Sequence, residues 1–328
     1  MILDFPVKIQ RKTVGVSERG FGTILILDNE KDRDFEYLEA ENLGKLGKGK
    51  AFGLATRLFM QKPQAQEVAI VGKVGKLEEV FMKAIEANKD FFFVVGTDNA
   101  IDSVKEVAKL CQINNKLYAV TINNYDDIKG LGEEKIDNVF VAYHDDPESY
   151  LAEGLAVVMS FNIGGKTAKF KKIEGVKEAK VSDGQVKEIH EANAFTYIKK
   201  LGVLQTTEGK VLSGEYIDVV LGEYWIRFRI EERMQRLAIT QDKIPYTNRG
   251  IAMLVSVAET VLNEAVDMGI IEENQYKIDY RRREDVPSND VAARKYDYIA
   301  WTAMLQGAIH SGQISGLLTY DLVNKEGE

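Results

Sequence analysis

A regular alternation of short apolar runs with amphipathic stretches, in the first half of the chain, constrains the fold more than any other feature. Runs typical of buried strands, GTILILD, EVAIVG, FFFVVG and KLYAVTI, are separated by the helical stretches KAFGLATRLFMQ, LEEVFMKAIEAN and AIDSVKEVAKLCQ. NVFVAYH and ESYLAEGLAVVMS continue the series as a strand and a helix. Strands alternating with helices of this length form a mostly parallel sheet covered on both faces. The sequence therefore predicts an α/β unit that begins near Gly22.

The pattern changes after about Ser160, where short strands and turns replace the alternation. TAKFKKI, AFTYI and GVLQTTEGKVLSG are interpreted as strands, with one short helix near 183–193. Two long helices follow, one over 218–240 and one that begins after Pro245 with Thr247 as its N-cap. The second helix places eight apolar side chains on one face: Ile251, Leu254, Val255, Ala258, Val261, Leu262, Ala265 and Val266. The stretch YIAWTAMLQGAIHSGQISGLLTYDL predicts a hairpin or two paired strands, so the fold class is α/β in the first half and α+β overall.

Composition narrows the classes of partner. The chain has 328 residues, 45% of them hydrophobic, which is enough for two ordinary domains. The formal net charge of −8 gives no reason to expect nucleic acid or an anionic membrane as a partner. Cys111 is the single cysteine, so no intramolecular disulfide can form. No window is long and apolar enough for a membrane span, and we expect a soluble protein made in the cytoplasm.

One segment contains part of a phosphate-binding motif, which would indicate a nucleotide-binding enzyme if the motif were complete. The segment SFNIGGKTAKF contains Gly-Gly-Lys-Thr, the second half of the phosphate loop G-x-x-x-x-G-K-[ST]. Counting back from Gly165, the first glycine of that loop would be residue 160, which is Ser160. The loop should also open a helix, whereas KTAKFKKIEGV alternates like a strand. The sequence therefore favours a tight turn at Gly164 and Gly165, followed by a lysine-rich strand whose partner is protein.

The remaining chemical motifs give no catalytic constellation. GKLGKGKAFG has glycines near a dinucleotide-binding spacing, but the acidic, irregular FEYLEAENLG precedes it instead of a strand, so a lysine-rich turn before a helix is favoured. His144, His190 and His310 lie far apart, and none has a second His or Cys at metal-ligand spacing. We assign no catalytic residue, no cofactor and no metal.

Two charged clusters each allow a structural and a functional interpretation. HDDP, residues 144–147, is interpreted as a polar turn that starts a helix, with a divalent-ion site as the alternative. RRRED, residues 281–285, is a solvated, salt-bridged turn or a contact with another protein.

Both ends of the chain resemble strands that lack a nearby partner. PVKIQRKTV alternates within a basic N-terminal segment, and SGLLTYDLV within an acidic C-terminal one. Each either closes the sheet of its own subunit or pairs with the sheet of a neighbour, where opposite charges would favour the register. The residues concerned are Val7, Lys8, Ile9, Gln10, Arg11, Lys12 and Thr13 at one end, and Gly316, Leu317, Leu318, Thr319, Tyr320 and Asp321 at the other.

Several blocks, in the right order, resemble contractile tail sheath proteins. KFKKIEGVKEAKVSDGQVKEIHEANAFTYIKKLG is similar to a sheath segment in which a Lys-x-x-x-Gly-Val turn leads to a helix and an aromatic strand. GEYIDVVLGEYWIRFRIEERMQRL, KIPYTNRGIAML and AWTAMLQGAIHSGQISGLLTY resemble the blocks that follow it in the compact sheaths of phages and R-type phage-tail-like bacteriocins. SERGFGTILIL and ATRLFMQKPQAQEVAIVG match near the N-terminus, so the resemblance covers almost the whole chain.

The resemblance implies a structural subunit, not an enzyme, that stacks as hexameric rings in a helical assembly around a tail tube. It implies contraction that drives the tube through an envelope, contacts with the tube protein, baseplate and tail terminator, and assembly in the bacterial cytoplasm before the virion or bacteriocin particle is released. It also implies four parts: an N-terminal arm over 1–20, an outer α/β domain over 21–155, an inner sheath domain over 156–312 and a C-terminal arm over 313–328.

Two sets of residues are assigned on the strength of this resemblance. Gly15, Gly20 and Gly312 are predicted hinges of the arms, because glycine permits reorientation of the backbone. Arg227, Arg229, Arg233 and Arg236 are predicted to face the tube, and the alternative is that they pair with Glu231 and Glu232 on the same helix.

Two other functions stay open from the sequence. One is a cytoplasmic α/β enzyme that binds a nucleotide or sugar phosphate, and the other is a non-contractile tail or capsid protein.

Overall fold

The first half of the chain forms a six-stranded sheet, as seen in a computed structural model that describes residues 20–87 and 90–316. The strand order is β2-β3-β1-β4-β5-β6, and only β2 runs antiparallel to its neighbour. The strands are β1 Ile24–Asp28, β2 Arg33–Leu38, β3 Val68–Gly72, β4 Phe93–Gly96, β5 Leu117–Ile122 and β6 Val139–Tyr143. The predicted parallel sheet is therefore confirmed.

Helices cover both faces of this sheet, which explains why its strands are continuous apolar runs. The helices are α1 Lys50–Phe59, α2 Leu77–Ala87, α3 Ile101–Ile113, α4 Tyr125–Gly132 and α5 Leu151–Ser160. Side chains alternate between the faces: Ile24 and Ile26 pack in the core with α1 and α5, whereas Leu25 and Leu27 pack with α2 and α3.

One strand of the sheet contradicts the sequence prediction. FEYLEAENLG, residues 35–44, was expected to be irregular. Its first four residues, 35–38, instead belong to the edge strand β2, Arg33–Leu38. Its acidic residues are tolerated because an edge strand faces solvent, and the Arg33 Nε donates to the Asp28 carboxylate at 2.8 Å. A 3-10 helix, Ala40–Leu46, follows β2. The predicted lysine-rich turn before a helix is confirmed at residues 47–49, where Gly47 has φ 68° and α1 begins directly after Gly49.

The second half is built around two long helices. Its elements are α6 Asp183–Glu191, β7 Tyr197–Lys200, β8 Val203–Thr206, α7 Ile217–Thr240, α8 Asn248–Asp267, β9 Ile271–Tyr280, α9 Ser288–Ala292 and β10 Ile299–Leu305. The predicted short helix, both long helices and the Thr247 N-cap are confirmed, since the Thr247 side chain accepts the backbone N–H of Gly250. On α8, Ile251, Ala258, Val261, Leu262 and Ala265 are buried, while Leu254, Val255 and Val266 are half-buried.

Two strand predictions in this half are corrected. TAKFKKI is not a strand: Phe170 has φ 63° and reverses the chain, which is fixed to β8 by hydrogen bonds between Thr206 and the backbone of Phe170 and Lys171. The described part of the C-terminal stretch, residues 298–316, contributes one strand, β10, whose antiparallel partner is β9. The rest of that stretch lies outside the described residues.

The two halves share one hydrophobic core. Ile217, Leu221, Val261 and Leu262 from the long helices belong to the same buried cluster as strand residues such as Ile26. The proposed boundary between residues 155 and 156 falls inside α5, which runs unbroken from Leu151 to Ser160. The division into outer and inner domains stays a prediction. Across the described ranges, no helix is both long and apolar enough to cross a membrane.

Candidate assembly surface

Helix α7 anchors the two points at which the chain leaves the described body. Near the N-terminus, the ring of Phe21 packs against Phe92 at 4.7 Å and against Phe228 of α7 at 5.8 Å. Near the C-terminus, the ring of His310 packs edge-on against Tyr216, the N-cap residue of α7, at 4.8 Å. Tyr216 and Phe228 are about 18 Å apart along the helix axis at 1.5 Å per residue. Phe21 and His310, near the two ends of the described chain, thus contact α7 and its N-cap residue.

His310 fixes an otherwise exposed segment. In the stretch 306–316, only His310 is not exposed, and its side chain retains 11% of its accessible surface. Its Nε2 is 2.6 Å from the Thr167 hydroxyl, and its Nδ1 is 3.3 Å from a Glu208 carboxylate oxygen. Glu208 also contacts the ammonium of Lys169 at 3.6 Å. The C-terminal segment is therefore held by side chains from two loops and the N-cap of α7.

The β9–β10 sheet has an apolar face that extends beyond its own core. Tyr276 and its cross-strand partner Ala303 pack on the core next to α8. Trp301 and Tyr280 continue the same face, since residues two apart on a strand share a face, but they are 41% and 50% exposed. Within residues 20–87 and 90–316, β9 and β10 pair only with each other, which leaves one backbone edge of each without a strand partner.

The four arginines predicted to face a tube occupy different environments. The Arg227 guanidinium donates to Asn115 at 2.8 Å and lies over the Tyr224 ring. Arg229 pairs with Glu232 at 2.6 Å, and Arg233 makes a two-pronged contact with Glu264 of α8 at 2.8 and 2.6 Å. Arg236 is exposed, near the end of α7. The alternative interpretation, pairing along one helix, thus describes Arg229, whereas Arg233 links two helices.

The predicted hinges and arms lie mostly outside the described residues. Val7–Thr13, Gly15 and 317–321 fall there, so their predictions stand as predictions. Gly20 and Gly312 are described, and a Cβ atom at Gly312 would meet nothing within 4 Å. Gly316 lies in the exposed stretch that follows β10 and has no regular secondary structure.

The Gly-Gly-Lys-Thr segment is a turn and not a phosphate loop. Gly164 has φ 81°, no helix follows, and the Lys166 ammonium donates to the Val158 carbonyl at 3.4 Å. Burial lowers the pKa of Lys166. The Thr167 hydroxyl, which would bind a metal in a phosphate loop, is engaged with His310. This segment borders a cavity of about 300 Å³ beside Lys171, Asp218 and Gln306.

The sheet edge where α/β enzymes bind nucleotides is occupied by side chains of the chain itself. Ligands of such folds bind beyond the carboxyl ends of the strands at the switch in strand order, which falls between β1 and β4 here. The Thr97 hydroxyl there accepts the backbone N–H of Asn29 at 3.1 Å and donates to the Leu27 carbonyl at 3.2 Å.

The HDDP segment is a polar turn. The His144 ring accepts the backbone N–H of Asp146 and contacts the Lys177 carbonyl at 3.0 Å. The helix that follows begins at Leu151 and not at Asp146. In the part of the chain that the structure describes, no group of three His, Cys, Asp or Glu side chains is arranged to hold a metal ion.

The fold that these elements form is similar to that of tail sheath proteins. Residues 217–280, which comprise α7, α8 and β9, match the family model described as the C-terminal domain of E217 tail sheath protein gp31-like proteins. No curated protein matches the sequence of this chain.

Solved structures extend the similarity to nearly the whole chain. A chain in the six-fold symmetrised cryo-EM structure of the anti-feeding prophage baseplate matches with a TM-score of 0.71 at 9% identity, covering 97% of this chain and 99% of that one. The contracted helical sheath of the anti-feeding prophage matches with 0.67 at 10% identity, covering 98% and 100%. The sheath tail protein of Listeria innocua matches with 0.59 at 10% identity, covering 89% and 96%. At these identities the similarity concerns the fold.

Proposed function

We propose that this chain is the structural subunit of a contractile tail sheath. The observation that carries the proposal is the match of the fold over nearly the full length of sheath chains, together with the family match over 217–280. The side chains of Thr97, Lys166 and Thr167, which are engaged in hydrogen bonds within the chain, favour this role over the nucleotide or sugar-phosphate enzyme.

Exchange of the terminal segments would connect the subunits. The β9–β10 sheet offers free strand edges and the uncovered apolar surface of Trp301 and Tyr280. A terminal strand of a neighbour that adds to such an edge gains backbone hydrogen bonds worth about 0.5–1.5 kcal/mol each. We assign this role to Val7–Thr13 and to 316–321, with Gly15, Gly20 and Gly312 as hinges.

Anchoring of both segments on α7 supports a lattice that changes state as a unit. Since Phe21 and His310 are fixed to the same helix, a rotation of the body moves both connections together. A contractile assembly needs rigid bodies that repack while flexible links keep them connected. We propose six subunits per ring around a tube protein, with a baseplate and a terminator at the ends, assembled in a bacterial cytoplasm for a phage or an R-type bacteriocin particle.

Contact with the tube is proposed for the arginine face of α7. The exposed position of Arg236 and the half-buried position of Arg227 suit a polar surface that can release the tube during contraction. Arg229 and Arg233 would contribute through the ion pairs that hold their part of the helix.

Electron microscopy of the purified chain, produced with and without its tube protein, tests the proposal. We expect hollow tubes with helical striations. Deletion of Met1–Thr13, or an insertion that lengthens the link between Gly15 and Gly20, should abolish assembly or contraction while circular dichroism shows an unchanged fold. A chain that remains a monomer and binds ATP in calorimetry would contradict the sheath function, and normal contractile tubes from the deletion variant would contradict strand exchange alone.

A further inference from the structure

The turn of the β7–β8 hairpin has a composition that folding of one chain does not explain. Leu201 and Gly202 connect the two strands, with φ 48° at Leu201 and 85° at Gly202. Asn, Asp or Gly normally occupies both positions of such a turn, because a branched apolar residue is strained at positive φ. Leu201 is also fully exposed, at 105% of its reference accessible surface. A strained and fully exposed leucine indicates a function outside the subunit's own core.

Basic residues surround this leucine. Lys199 and Lys200 precede it and are exposed, and Val203, which follows the turn, is 61% exposed. Within residues 20–87 and 90–316, neither lysine forms an ion pair. The turn therefore presents the protruding apolar side chain of Leu201 beside the positive charges of Lys199 and Lys200. We call residues 199–203 the hairpin tip.

A groove of opposite character lies between α2 and α3. It has a volume of about 750 Å³, and Met82 and Leu110 form its apolar part, with Met82 44% exposed. Five carboxylates line it, and only two lysines do, Lys73 and Lys83. Lys73 pairs with Glu79 at 2.5 Å, and Lys83 donates to the carbonyls of Arg33 and Gly72 at 2.7 and 3.0 Å. Glu78 and Glu106 also form ion pairs, with Lys76 at 3.5 Å and with Lys109 at 3.2 Å. Among the described residues, Asp32 and Glu86 are the lining carboxylates without an ion pair, and they leave an excess of negative charge around the apolar floor.

The hairpin tip and the groove lie at opposite ends of the sheet. The hairpin continues beyond β6, because Phe195 bridges Ala142 on that strand. The groove is next to β3, since it is lined by Lys73, which directly follows that strand, and by residues of α2. Three strands separate β3 from β6, so the two sites are about 19 Å apart across the sheet at the usual strand spacing. The tip of one chain cannot fill the groove of the same chain.

We propose that the hairpin tip of one copy docks in the α2–α3 groove of a second copy. Leu201 packs on Met82 and Leu110, and the two lysines meet the carboxylates at the rim. The contact joins two different surfaces at opposite ends of the sheet, and such head-to-tail contacts generate rings or helices. It adds a side-chain contact between subunit bodies to the strand exchange proposed above and does not depend on it.

Disulfide trapping with the full chain tests this contact. The single native cysteine, Cys111, is fully buried, so introduced cysteines react selectively. Leu201→Cys is mixed with a second variant carrying Met82→Cys and oxidised mildly. The matched control replaces Met82→Cys by Met60→Cys, an equally exposed methionine that follows α1 on the other face of the sheet. We expect at least about tenfold more covalent dimer from the Met82 mixture than from the control, and no dimer from either single variant alone.

Charge reversal provides the second measurement. Lys199→Glu combined with Lys200→Glu in the Leu201→Cys chain should lower the dimer yield to that of the control, and Glu79→Lys with Glu86→Lys in the Met82→Cys chain should restore it. Equal yields from the Met82 and Met60 mixtures, or yields that ignore charge reversal, would overturn the proposed contact. Striated tubes without the specific dimer would contradict this contact and support the sheath function. The specific dimer without tubes would support the contact and contradict the sheath function.

Discussion

Glu153 and Thr121 are joined by two hydrogen bonds inside the core, between helix α5 and the carboxyl end of strand β5. One carboxylate oxygen accepts the backbone N–H of Thr121 at 2.9 Å, and the other accepts its hydroxyl. The Thr121 oxygen in turn accepts the backbone N–H of Ala152 at 3.0 Å. Burial raises the pKa of Glu153 to about 7, against the lowering effect of these hydrogen bonds and of Arg57.

This buried carboxyl predicts a stability that falls with rising pH. The unfolded state releases the Glu153 proton near pH 4.5, whereas the folded state retains it until about pH 7. The contribution of this group is therefore complete below pH 4.5 and is lost between pH 4.5 and 7. The test compares the free energy of unfolding in urea of the wild type with that of Glu153→Gln, which stays neutral and keeps an acceptor for Thr121. Between pH 4.5 and 7 the variant should gain stability relative to the wild type, by at most about 3 kcal/mol.

The exposed Glu67→Gln is the matched control and should shift unfolding by less than about 0.5 kcal/mol. A difference between the wild type and Glu153→Gln that stays constant from pH 4.5 to 8 would show that Glu153 does not titrate in this window.

The ion pair of Arg229 and Glu232 predicts a structural role for that arginine. Their side chains are 13% and 4% exposed, and the pair spans one turn of α7 at 2.6 Å. Arg229→Met leaves a buried carboxylate without this partner and should lower the free energy of unfolding by about 3 kcal/mol, while Arg229→Met with Glu232→Gln should recover part of the loss. The measurement is a double-mutant cycle by urea unfolding.

An exposed pair on β9 provides the comparison. Lys277 and Asp279 are 73% and 57% exposed, so removing either charge should cost less than about 1 kcal/mol. If Arg229→Met left stability unchanged but weakened binding to the tube protein, Arg229 would face the tube as the sequence suggested.

Substitution of Gly164 should reduce stability through a steric clash, and not through the loss of a phosphate site. A Cβ atom at Gly164 would lie 2.1 Å from the Ile270 side chain, and φ 81° disfavours any other residue. Gly164→Ala should therefore lower the free energy of unfolding by about 2–4 kcal/mol. Adding Ile270→Ala makes space at the same contact, so the double variant should be less destabilised than the sum of the two single losses.

Gly312→Ala is the control for glycine in this experiment, since its Cβ would meet nothing within 4 Å. It should leave the melting temperature unchanged. Additive losses in the Gly164 and Ile270 double variant would show that the two residues do not share a contact.

The predictable part of the fold is the part that is buried on both sides. Strands such as β1 and β3 are recognisable because they contain continuous apolar runs, residues 24–27 and 68–71, and α8 because its apolar stripe repeats at helical spacing. Edge strand β2 and the half-exposed strand β9, IEENQYKIDY, escaped recognition because solvent allows polar residues on their outer sides. TAKFKKI failed for the opposite reason, since lysines alternating with apolar residues fit a strand and a folded loop equally well.

The candidate assembly surface was less predictable than the fold because its contacts are remote in sequence. Charge and alternation predict the terminal strands, which lie mostly outside the described residues, but they give no sign of the contacts made by Phe21 and His310. Thr167 and His310 are 143 positions apart, and Phe21 meets Phe228 only after the sheet has folded. A lone histidine in a small-residue stretch carries no sequence signal for such a role. The unusual Leu201 before Gly202 does carry one, since leucine is disfavoured in a two-residue hairpin turn.

The contacts of His310 predict that its side chain holds residues 306–316 against the rest of the subunit. His310→Ala removes the contacts to Thr167, Glu208 and Tyr216, so residues 306–316 should become more accessible to protease. We expect faster cleavage after Leu305 by at least about tenfold at equal enzyme, with little change in the melting temperature, because the neighbouring residues of the segment are exposed. Ile309→Ala, at a residue that is 91% exposed, is the matched control and should leave cleavage unchanged. In assembled particles, the His310→Ala variant should form tubes that contract under milder conditions, because a loosened connection lets the bodies repack more easily. Equal cleavage of both variants would show that the segment is fixed by contacts other than those of His310.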